Sequence, residues 1–320
     1  MKNRTLFHVV VILPLLLAVT PGMRAQNRRA AIDYVARGTA KMDTNDVDGA
    51  LADFTRAIEL DRNYAAAYFS RGLARRRLSD LDGAISDFTK SIQLNPIAEA
   101  YLDRGAVRKD KGDRDGAIED YTKAIELNGK YADAYYNRGI ALDDKEDHDG
   151  AIADFTRAIE LNPQQGRAFV GRGFARMQKG DSDSALADYN QALELNPQSA
   201  LAYFNRSFVW KTRGDLDRAM ADLTKDIELA ARDEAAYLER GILRGAKGDL
   251  EGAIADFDKV LDINAENAKA YANRGVILLM QNKDAVAQAD FDRAFKLDSG
   301  LRPVIQKLID EILKTRKPKS

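Results

Sequence analysis

Aspartate and glutamate are the side chains of this sequence that could most readily do chemistry, and four aspartate-rich runs stand out. They read DVDG, DLDG, DRDG and DHDG and share the Asp-x-Asp spacing of a calcium-binding loop. Such a loop also needs oxygen ligands at its first and twelfth positions, and these do not line up here. We therefore predict that the runs cap helices and do not bind calcium.

Nucleophilic and metal-binding side chains are scarce. The sequence has no cysteine, and His148 is the only histidine after residue 25. It falls in a turn, or in the first turn of a predicted helix, without the cluster of ligands that a metal needs. No nucleophile–base pair and no phosphate-binding glycine loop is present in the sequence either. We expect no catalytic residue, no metal site and no cofactor, and the predicted class is not an enzyme.

Residues 132–165 show which elements position the remaining side chains. Apolar residues at three-to-four spacing form one stripe before residue 145 and a second after residue 150, as two amphipathic helices do. Asp147 can cap the second helix, and Pro163 ends it, because proline cannot donate a backbone hydrogen bond. Gly139 and Ala151 are small enough to let two antiparallel helices approach closely. The segment therefore predicts a helical hairpin.

The same hairpin recurs along the chain. One arginine and one aspartate each return at intervals of 33 or 34 residues, and eight repeats of such a period indicate a solenoid. The arginine precedes a glycine in every repeat except at Arg206, which Ser207 follows. The arginines are Arg37, Arg71, Arg104, Arg138, Arg172, Arg206, Arg240 and Arg274, and the aspartates are Asp53, Asp87, Asp120, Asp154, Asp188, Asp222, Asp256 and Asp290. The predicted repeats, which together span 31–301, are 31–64, 65–97, 98–131, 132–165, 166–199, 200–233, 234–267 and 268–301.

The repeat resembles that of the tetratricopeptide repeat (TPR) family, whose pattern runs from an aromatic residue through Leu-Gly to Ala-x-x-x-Phe and a proline. Tyr135, Gly139, Ala151, Phe155 and Pro163 occupy these places. The resemblance extends over all eight repeats. It implies an all-α solenoid of helix-turn-helix repeats forming a right-handed superhelix. The chain departs from the family in having arginine where leucine is usual before the glycine.

The recurring arginine and aspartate are predicted to pair. Reflection of a hairpin about its turn brings the seventh residue of the repeat opposite the twenty-third, and these are the two residues concerned. We therefore expect a ladder of Arg–Asp pairs, within or between repeats. A solvated pair would contribute about 0–1 kcal/mol. A partly buried pair would fix repeat register, and loss of one partner would cost about 3–5 kcal/mol. The unbroken period favours the buried form.

The resemblance also implies a binding surface. In TPR proteins the first helices line a concave groove, and their fifth and ninth residues face it. The family's clamp for carboxy-terminal carboxylates needs Lys and Asn at these places, and this chain lacks them, so we expect a hydrophobic or amphipathic peptide as ligand. About half of the residues could instead pack between repeats. The groove residues are Phe69, Leu73, Leu102, Tyr136, Ile140, Val170, Phe174, Phe204, Phe208, Leu238, Ile242 and Val276, with Asn137, Asn205 and Asn273 beside them.

Charge is distributed unevenly over the predicted groove. Arg76, Arg77 and Lys109 belong to a basic cluster in the second and third repeats, and Asp143 and Asp144 to an acidic one in the fourth. The pattern has two interpretations, a solvated face and a charge gradient that orients a ligand.

The repeat over residues 200–233 is irregular. Ser207 replaces the glycine, Leu223 replaces the aromatic residue, and Trp210 is the only tryptophan. Asp226 stands where other repeats have Ala, Ser or Val, and a carboxylate in a helix–helix seam is costly unless it is paired. We expect Arg206 or Arg240 to pair with it. The irregularity is either a tolerated lapse, or a hinge or partner site.

The two ends of the chain carry further signals. Residues 1–25 have basic residues, an apolar run and then small residues, as a cleaved secretory signal peptide does; the alternative is a retained membrane anchor. We expect no membrane span after cleavage. Residues 302–316 carry one apolar stripe and predict a helix that caps the solenoid. Residues 317–320 form a basic tail.

Net charge limits the class of partner. The chain has a formal net charge of −1, and removal of residues 1–25 would leave 46 basic and 50 acidic residues, or −4. Nucleic acid is therefore not expected, because phosphate needs a basic face. We predict an exported bacterial protein that binds peptide or protein segments, as an envelope adaptor or assembly factor. The alternative is a structural scaffold that self-associates as a homo-oligomer.

Overall fold

The computed structural model describes residues 21–315, and that range contains α-helices, one short 3₁₀ helix and no strand. The predicted signal segment therefore lies outside the described residues as far as residue 20, and the basic tail lies wholly outside them. The helices are α1 (Pro21–Asp43), α2 (Val47–Leu60), α3 (Ala65–Arg77), α4 (Leu81–Leu94), α5 (Ala98–Asp110), α6 (Arg114–Leu127), α7 (Ala132–Asp143), α8 (His148–Leu161), α9 (Gly166–Gln178), α10 (Ser182–Leu195), α11 (Ala200–Thr212), α12 (Leu216–Leu229), α13 (Glu234–Ala246), α14 (Leu250–Ile263), α15 (Ala268–Met280), α16 (Asp284–Leu297) and α17 (Arg302–Thr315), with the 3₁₀ helix at Ser299–Leu301.

Consecutive helices form hairpins. Each odd-numbered helix from α1 to α15 packs against the even-numbered helix that follows it, and within each unit the even helix then packs against the next hairpin. Contacts divide the helices into an amino-terminal unit, α1–α6, and a carboxy-terminal unit, α7–α17, with the boundary between Gly129 and Lys130. The prediction of an all-α solenoid of helix pairs is confirmed.

Aspartates begin the even-numbered helices. Asp147 caps α8 by accepting a hydrogen bond at 3.0 Å from the backbone N–H of Gly150. The aspartates of the other DxDG runs do the same for α2, α4 and α6. A carboxylate at this place satisfies a free N–H and lies at the favourable end of the helix dipole.

A glycine of the odd helix faces an aromatic ring of the even helix. A Cβ atom on Gly241 would lie 2.7 Å from the ring of Phe257, so only glycine fits. In residues 200–233 Ser207 and the smaller Leu223 hold the places of the glycine and the aromatic residue, and both side chains are buried. These two irregular residues therefore compensate for each other, because a smaller partner makes room for the Cβ atom of serine.

The predicted Arg–Asp pairs are present in every hairpin. Nε and Nη2 of Arg240 donate to the two oxygens of Asp256 at 3.0 and 2.7 Å. Nη1 of the same arginine donates at 3.1 Å to Thr224 of the preceding even helix. One guanidinium therefore joins its own hairpin and the preceding one. The aspartates of these pairs are buried. The same two-pronged contact joins Arg37 to Asp53, Arg71 to Asp87, Arg104 to Asp120, Arg138 to Asp154, Arg172 to Asp188, Arg206 to Asp222 and Arg274 to Asp290.

A second cation reaches the same aspartate in five hairpins, which sequence reasoning missed. Arg244 approaches Asp256 at 2.9 Å from a position one helical turn after Arg240. The signal was a second basic residue four places after the first. Lys41, Arg75, Arg108 and Arg176 hold the equivalent position, whereas Leu142, Trp210 and Leu278 replace the cation in the other three hairpins.

The prediction that Asp226 pairs with Arg206 or Arg240 is wrong. The Asp226 side chain is completely buried in α12 at 0% exposure, and neither oxygen has a hydrogen-bond partner among the described residues. The two arginines are instead held by Asp222 and Asp256. Burial, and to a smaller extent the negative charge of Asp233, raises the pKa of Asp226 to about 7.

Helix α17 covers the end of the carboxy-terminal unit. It packs against α15, and Ile305 is buried in a cluster with Leu278, Leu279 and Phe295. Other apolar residues of its stripe, such as Val304 and Leu308, stay exposed. No helix within residues 21–315 is both long enough and apolar enough to cross a membrane.

A double-mutant cycle tests the ladder at Arg206 and Asp222, where Trp210 replaces the second cation. Arg206→Met and Asp222→Ala are each expected to lower the free energy of unfolding by about 3–5 kcal/mol, because each leaves a buried partner unpaired. The double variant is expected to cost less than the sum by at least about 2 kcal/mol. Urea denaturation measures all three. Costs that simply add would contradict a buried, coupled pair.

The buried Asp226 makes stability depend on pH. Its pKa is about 7 in the folded protein, against an ordinary value of 3.8, so the folded state keeps a proton that the unfolded state loses. This group therefore favours folding most at low pH, and stability falls as pH rises from about 4 to about 7. At about pH 8, Asp226→Ala is expected to raise the free energy of unfolding by more than about 1 kcal/mol, since one pKa unit corresponds to about 1.4 kcal/mol.

Urea denaturation of parent and variant at about pH 5.5 and about pH 8 measures this difference. Asp262→Ala, which removes an exposed carboxylate, is the matched control and should keep the pH dependence of the parent. A parent-like pH dependence in Asp226→Ala would show that the buried carboxylate is not responsible.

Candidate functional site

A cavity of about 650 Å³ opens on the face formed by α7, α9 and α11 in the carboxy-terminal unit. Odd-numbered helices form this face because their opposite sides are held against the even helices by the Arg–Asp pairs. The side chains and backbone around the cavity are those of Tyr136, Ile140, Asp143, Phe155, Gln164, Gln165, Gly166, Arg167, Val170, Gly171, Phe174, Ala192, Asn196, Ser199, Leu201 and Asn205.

The wall of this cavity is largely apolar. Tyr136 packs on Phe155 with the ring centroids 5.9 Å apart. Phe174 is 40% exposed and Leu201 is 61% exposed, although both are large apolar side chains. Such residues are usually covered in a soluble protein when they lie close together. The cavity therefore offers apolar surface that a ligand could remove from water.

A glycine lets α9 approach an aromatic ring at the cavity. Gly171 lies at the place in α9 that Asn137 and Asn205 hold in the neighbouring odd helices. A Cβ atom on Gly171 would come within 2.7 Å of the Phe155 ring, so the ring occupies the space that a side chain would need. The ring is buried at 1% exposure, and both residues line the cavity.

A second cavity of about 320 Å³ adjoins the first. Phe174 and Asn205 line both, so these two residues form the wall between them. Phe204 and Phe208 pack edge to face at 5.1 Å on its far side. The remaining lining residues are Met177, Gln178 and Tyr189, and none of the seven is charged.

Charged groups at the first cavity are paired within the protein. Arg167 donates to Asp133 at 2.5 Å and lies over the ring of Tyr136 at 4.3 Å. Asp143 contacts a ring nitrogen of His148 at 2.7 Å. Burial raises the pKa of the Tyr136 hydroxyl, so this group is neutral at ordinary pH.

Gln165 provides an unused acceptor in the first cavity. Its Nε2 donates to Asp133 at 2.9 Å, which fixes the orientation of the amide. Its Oε1 is buried and has no hydrogen-bond partner among the described residues, in a side chain that is only 7% exposed. Buried acceptors are nearly always satisfied. This residue was not among the predicted site residues, because it follows the proline at the end of a repeat.

The structure brings together only part of the predicted groove. Tyr136, Ile140, Val170, Phe174 and Asn205 line the first cavity, and Phe204 and Phe208 line the second. Phe69, Leu73 and Leu102 belong to the amino-terminal unit, where the first two pack against the core around Phe88. Leu238 and Ile242 pack against the core around Phe257, and Val276 against the core around Phe291. The assignment of these residues to a binding surface stays a prediction.

The three asparagines are partly occupied by their own helices. Asn137, Asn205 and Asn273 each donate from Nδ2 to the backbone carbonyl four residues earlier, at 2.8–2.9 Å. Of the three, Asn205 lines the cavities. Its Oδ1 accepts no hydrogen bond from another residue within 21–315 and could accept one from a ligand.

Residues of the predicted charge gradient lie in two different units. In the amino-terminal unit Arg76 lies 3.4 Å from Asp103, and Arg77 donates to the carbonyl of Met42 at 3.1 Å. Burial raises the pKa of Asp103 to about 6, although Arg76 opposes the shift. Lys109 is half-buried and Asp144 is exposed. Local pairing of this kind weakens any long-range field, and the gradient stays a prediction.

Family models of the repeat match this chain along most of its length. "Tetratricopeptide repeat" matches residues 132–165 and, in a second form, residues 35–101, and "TPR repeat" matches residues 105–145, 173–209 and 243–282. Together these ranges take in well over half of the sequence. The chain belongs to the tetratricopeptide repeat family. As a TPR protein it has the fold of a module that generally mediates protein–protein interactions.

Solved structures share this TPR fold. A tetratricopeptide repeat protein from Parabacteroides merdae is 23% identical, with 78% of this chain and 98% of that protein covered and a TM-score of 0.58. A chain of the APC/C hetero-tetramer Cut9–Hcn1 is 15% identical, with 83% and 52% covered and a TM-score of 0.63. MamA is 30% identical, with 53% and 94% covered and a TM-score of 0.49. No curated protein is significantly similar to the sequence.

The described part of this TPR protein contains no cluster of metal ligands. Residues 21–315 contain no group of three or more His, Cys, Asp or Glu side chains that could hold a metal ion.

An environment-sensitive dye tests whether the first cavity is accessible. Because the sequence has no cysteine, Leu201→Cys provides a single labelling site, and Val286→Cys, at a position that is 55% exposed, is the matched control. Both thiols should react readily. The dye at position 201 is expected to emit at shorter wavelength, because it can fold onto Tyr136 and Phe174. Equal emission from the two positions in fluorescence spectra would show that the cavity does not admit an apolar group.

Proposed function

We propose that this TPR protein is a non-enzymatic binding module that holds a peptide or protein segment of a partner in the groove formed by the two cavities on α7, α9 and α11. The observation that carries the proposal is a pair of adjoining, largely apolar cavities in which Phe174 and Leu201 are exposed, with neutral hydrogen-bonding side chains beside them. Peptide grooves combine apolar pockets with a few polar groups that orient the ligand.

The proposed role is that of an adaptor or assembly factor in a bacterial cell envelope. Support for export comes from the signal-like layout of residues 1–25, with its basic residues, apolar run and small residues before the expected cleavage point. A binding groove on α7, α9 and α11 fits an adaptor, because an adaptor needs a surface on which to hold a segment of its partner. Its partner would be another protein of the same compartment.

A second candidate function is a scaffold that self-associates. The observation in its favour is the exposed part of the α17 stripe, where Val304 is 65% exposed and Leu308 and Leu313 are also exposed. A second copy could cover this stripe. Self-association through α17 would leave the groove on α7, α9 and α11 free.

Site-specific photocrosslinking separates the two candidates. A photoreactive benzoylphenylalanine replaces Leu201, and a second protein carries it at Val286 as the matched control. In the envelope of the source cell, the probe at position 201 is expected to crosslink a protein other than this chain. The crosslink should disappear when Phe174→Ser and Phe208→Ser are added, and the control should not form it.

Two outcomes of this experiment would contradict the proposed peptide groove. The scaffold would be favoured if the probe at position 201 forms no adduct with another protein and the chain forms oligomers in analytical ultracentrifugation. An adduct that survives the two groove substitutions would show that the groove is not the binding site. Circular dichroism of the substituted protein must first show that the helices remain, because Phe208 also packs on Phe204.

A further inference from the structure

The charges around this groove limit the class of ligand that it can bind. The second cavity has no charged lining residue. The first has two, Asp143 and Arg167, and each is already paired, with His148 and Asp133 respectively. A charged ligand group placed here would lose its water without gaining an unpaired partner, which is costly. The surface therefore complements a ligand whose bound portion is neutral.

The hydrogen-bonding groups around the first cavity limit the class of ligand further. Gln165 lines the first cavity, and its Oε1 is a buried acceptor without a partner among the described residues, which a small movement of the side chain would expose to a ligand. Asn205 provides a second acceptor on the same cavity, because only its Nδ2 is engaged by the helix. On the donor side, the hydroxyl of Ser199 accepts from the N–H of Ala202 and still has its own hydrogen to give. A mixture of neutral acceptors and donors matches the amide groups of a peptide backbone.

The two cavities together indicate what the side chains of that peptide must be. Their volumes are about 650 and 320 Å³, and Phe174 and Asn205 alone separate them. Two bulky apolar side chains close together in a sequence could therefore enter them at the same time. Arg167 is the only cation among the described residues that line the two cavities, and it is paired with Asp133, so the carboxy terminus of a ligand would find no unpaired cation there.

We infer that this groove recognises an internal, uncharged peptide segment that places two large apolar side chains in the adjoining cavities and donates one backbone N–H to Oε1 of Gln165. The inference rests on the proposed function, because it specifies the ligand of the same groove. It excludes the carboxylate-terminal and highly charged segments that another groove of this size could accept.

Selection from a synthetic peptide library tests the inference. The probes are peptides of about ten residues, acetylated at the amino end and amidated at the carboxy end, with neutral and charged residues equally represented. We expect the full chain to select peptides with two apolar residues near each other and no charge between them. The affinity of the best peptide, measured by fluorescence anisotropy, should change less than about twofold between about 50 and 500 mM NaCl, because no free charge is neutralised.

Variants locate the bound peptide. Leu201→Ser should weaken binding at least about fivefold, because it removes apolar wall from the first cavity. Val286→Ser, the matched exposed control, should leave affinity within about twofold. Methylation of each backbone nitrogen of the peptide in turn should reveal one position where binding falls about tenfold. In Gln165→Leu, methylation at that position should no longer matter.

Three kinds of result would contradict the inference in whole or in part. Selection of charged peptides, or a loss of about tenfold with salt, would overturn the neutral ligand while leaving the groove as the binding site. Nitrogen methylation that has the same effect in parent and Gln165→Leu would overturn the role of Gln165. A chain that selects no peptide, or whose binding ignores Leu201→Ser, would overturn both this inference and the proposed function.

Discussion

The structure depends on a guanidinium that is shared between two hairpins. Each recurring aspartate is buried, and a buried carboxylate is tolerated only when its oxygens are paired. The arginine satisfies both oxygens through Nε and Nη2, and in Arg71, Arg104, Arg172, Arg206, Arg240 and Arg274 its Nη1 also reaches a polar side chain of the preceding even helix. The Arg–Asp bonds hold the two helices of one hairpin in register, and a shift of that hairpin past the preceding one would break the Nη1 bonds. The pair therefore fixes register as well as joining helices, which a leucine at the same place could not do.

Because the register of the helices is fixed, the side chains on the opposite face of each odd helix are also held in fixed positions. Arg138, Arg172 and Arg206 hold α7, α9 and α11 against their even partners, so the residues two places before and after each arginine point the opposite way. Tyr136, Phe174 and Phe208 are brought to one surface in this manner. The cavities lie where this regular frame carries irregular residues, among them Gly171, which lets α9 approach the Phe155 ring closely. A repetitive frame thus supports a site built partly from residues that do not recur in every repeat.

The repeating part of the structure could be predicted from the sequence, and the non-repeating part could not. The period alone predicted the hairpins, the aspartate caps and the Arg–Asp pairs, because each is an interaction that recurs with the repeat. Asp226 failed the same reasoning, because the two arginines that were expected to pair with it are engaged by the aspartates of the ladder. The cavity beside Gln165 is formed by α7, α9 and α11 together, and the spacing within one repeat contains no information about it. Tyr136, Phe174 and Phe208 of the groove list line the cavities, and the assignment of the list to a binding surface stays a prediction.

Hydrogen exchange followed by mass spectrometry tests whether the Arg–Asp ladder of the carboxy-terminal unit supports a peptide groove on α7, α9 and α11. The full chain would be compared with and without the peptide it binds most tightly. The account predicts that added protection is confined to α7, α9 and α11 and to the segment containing Gln165, with α8, α10 and α12 already well protected in the free chain. Added protection in the even helices or in α1–α6, with none on the face around Phe174, would contradict it.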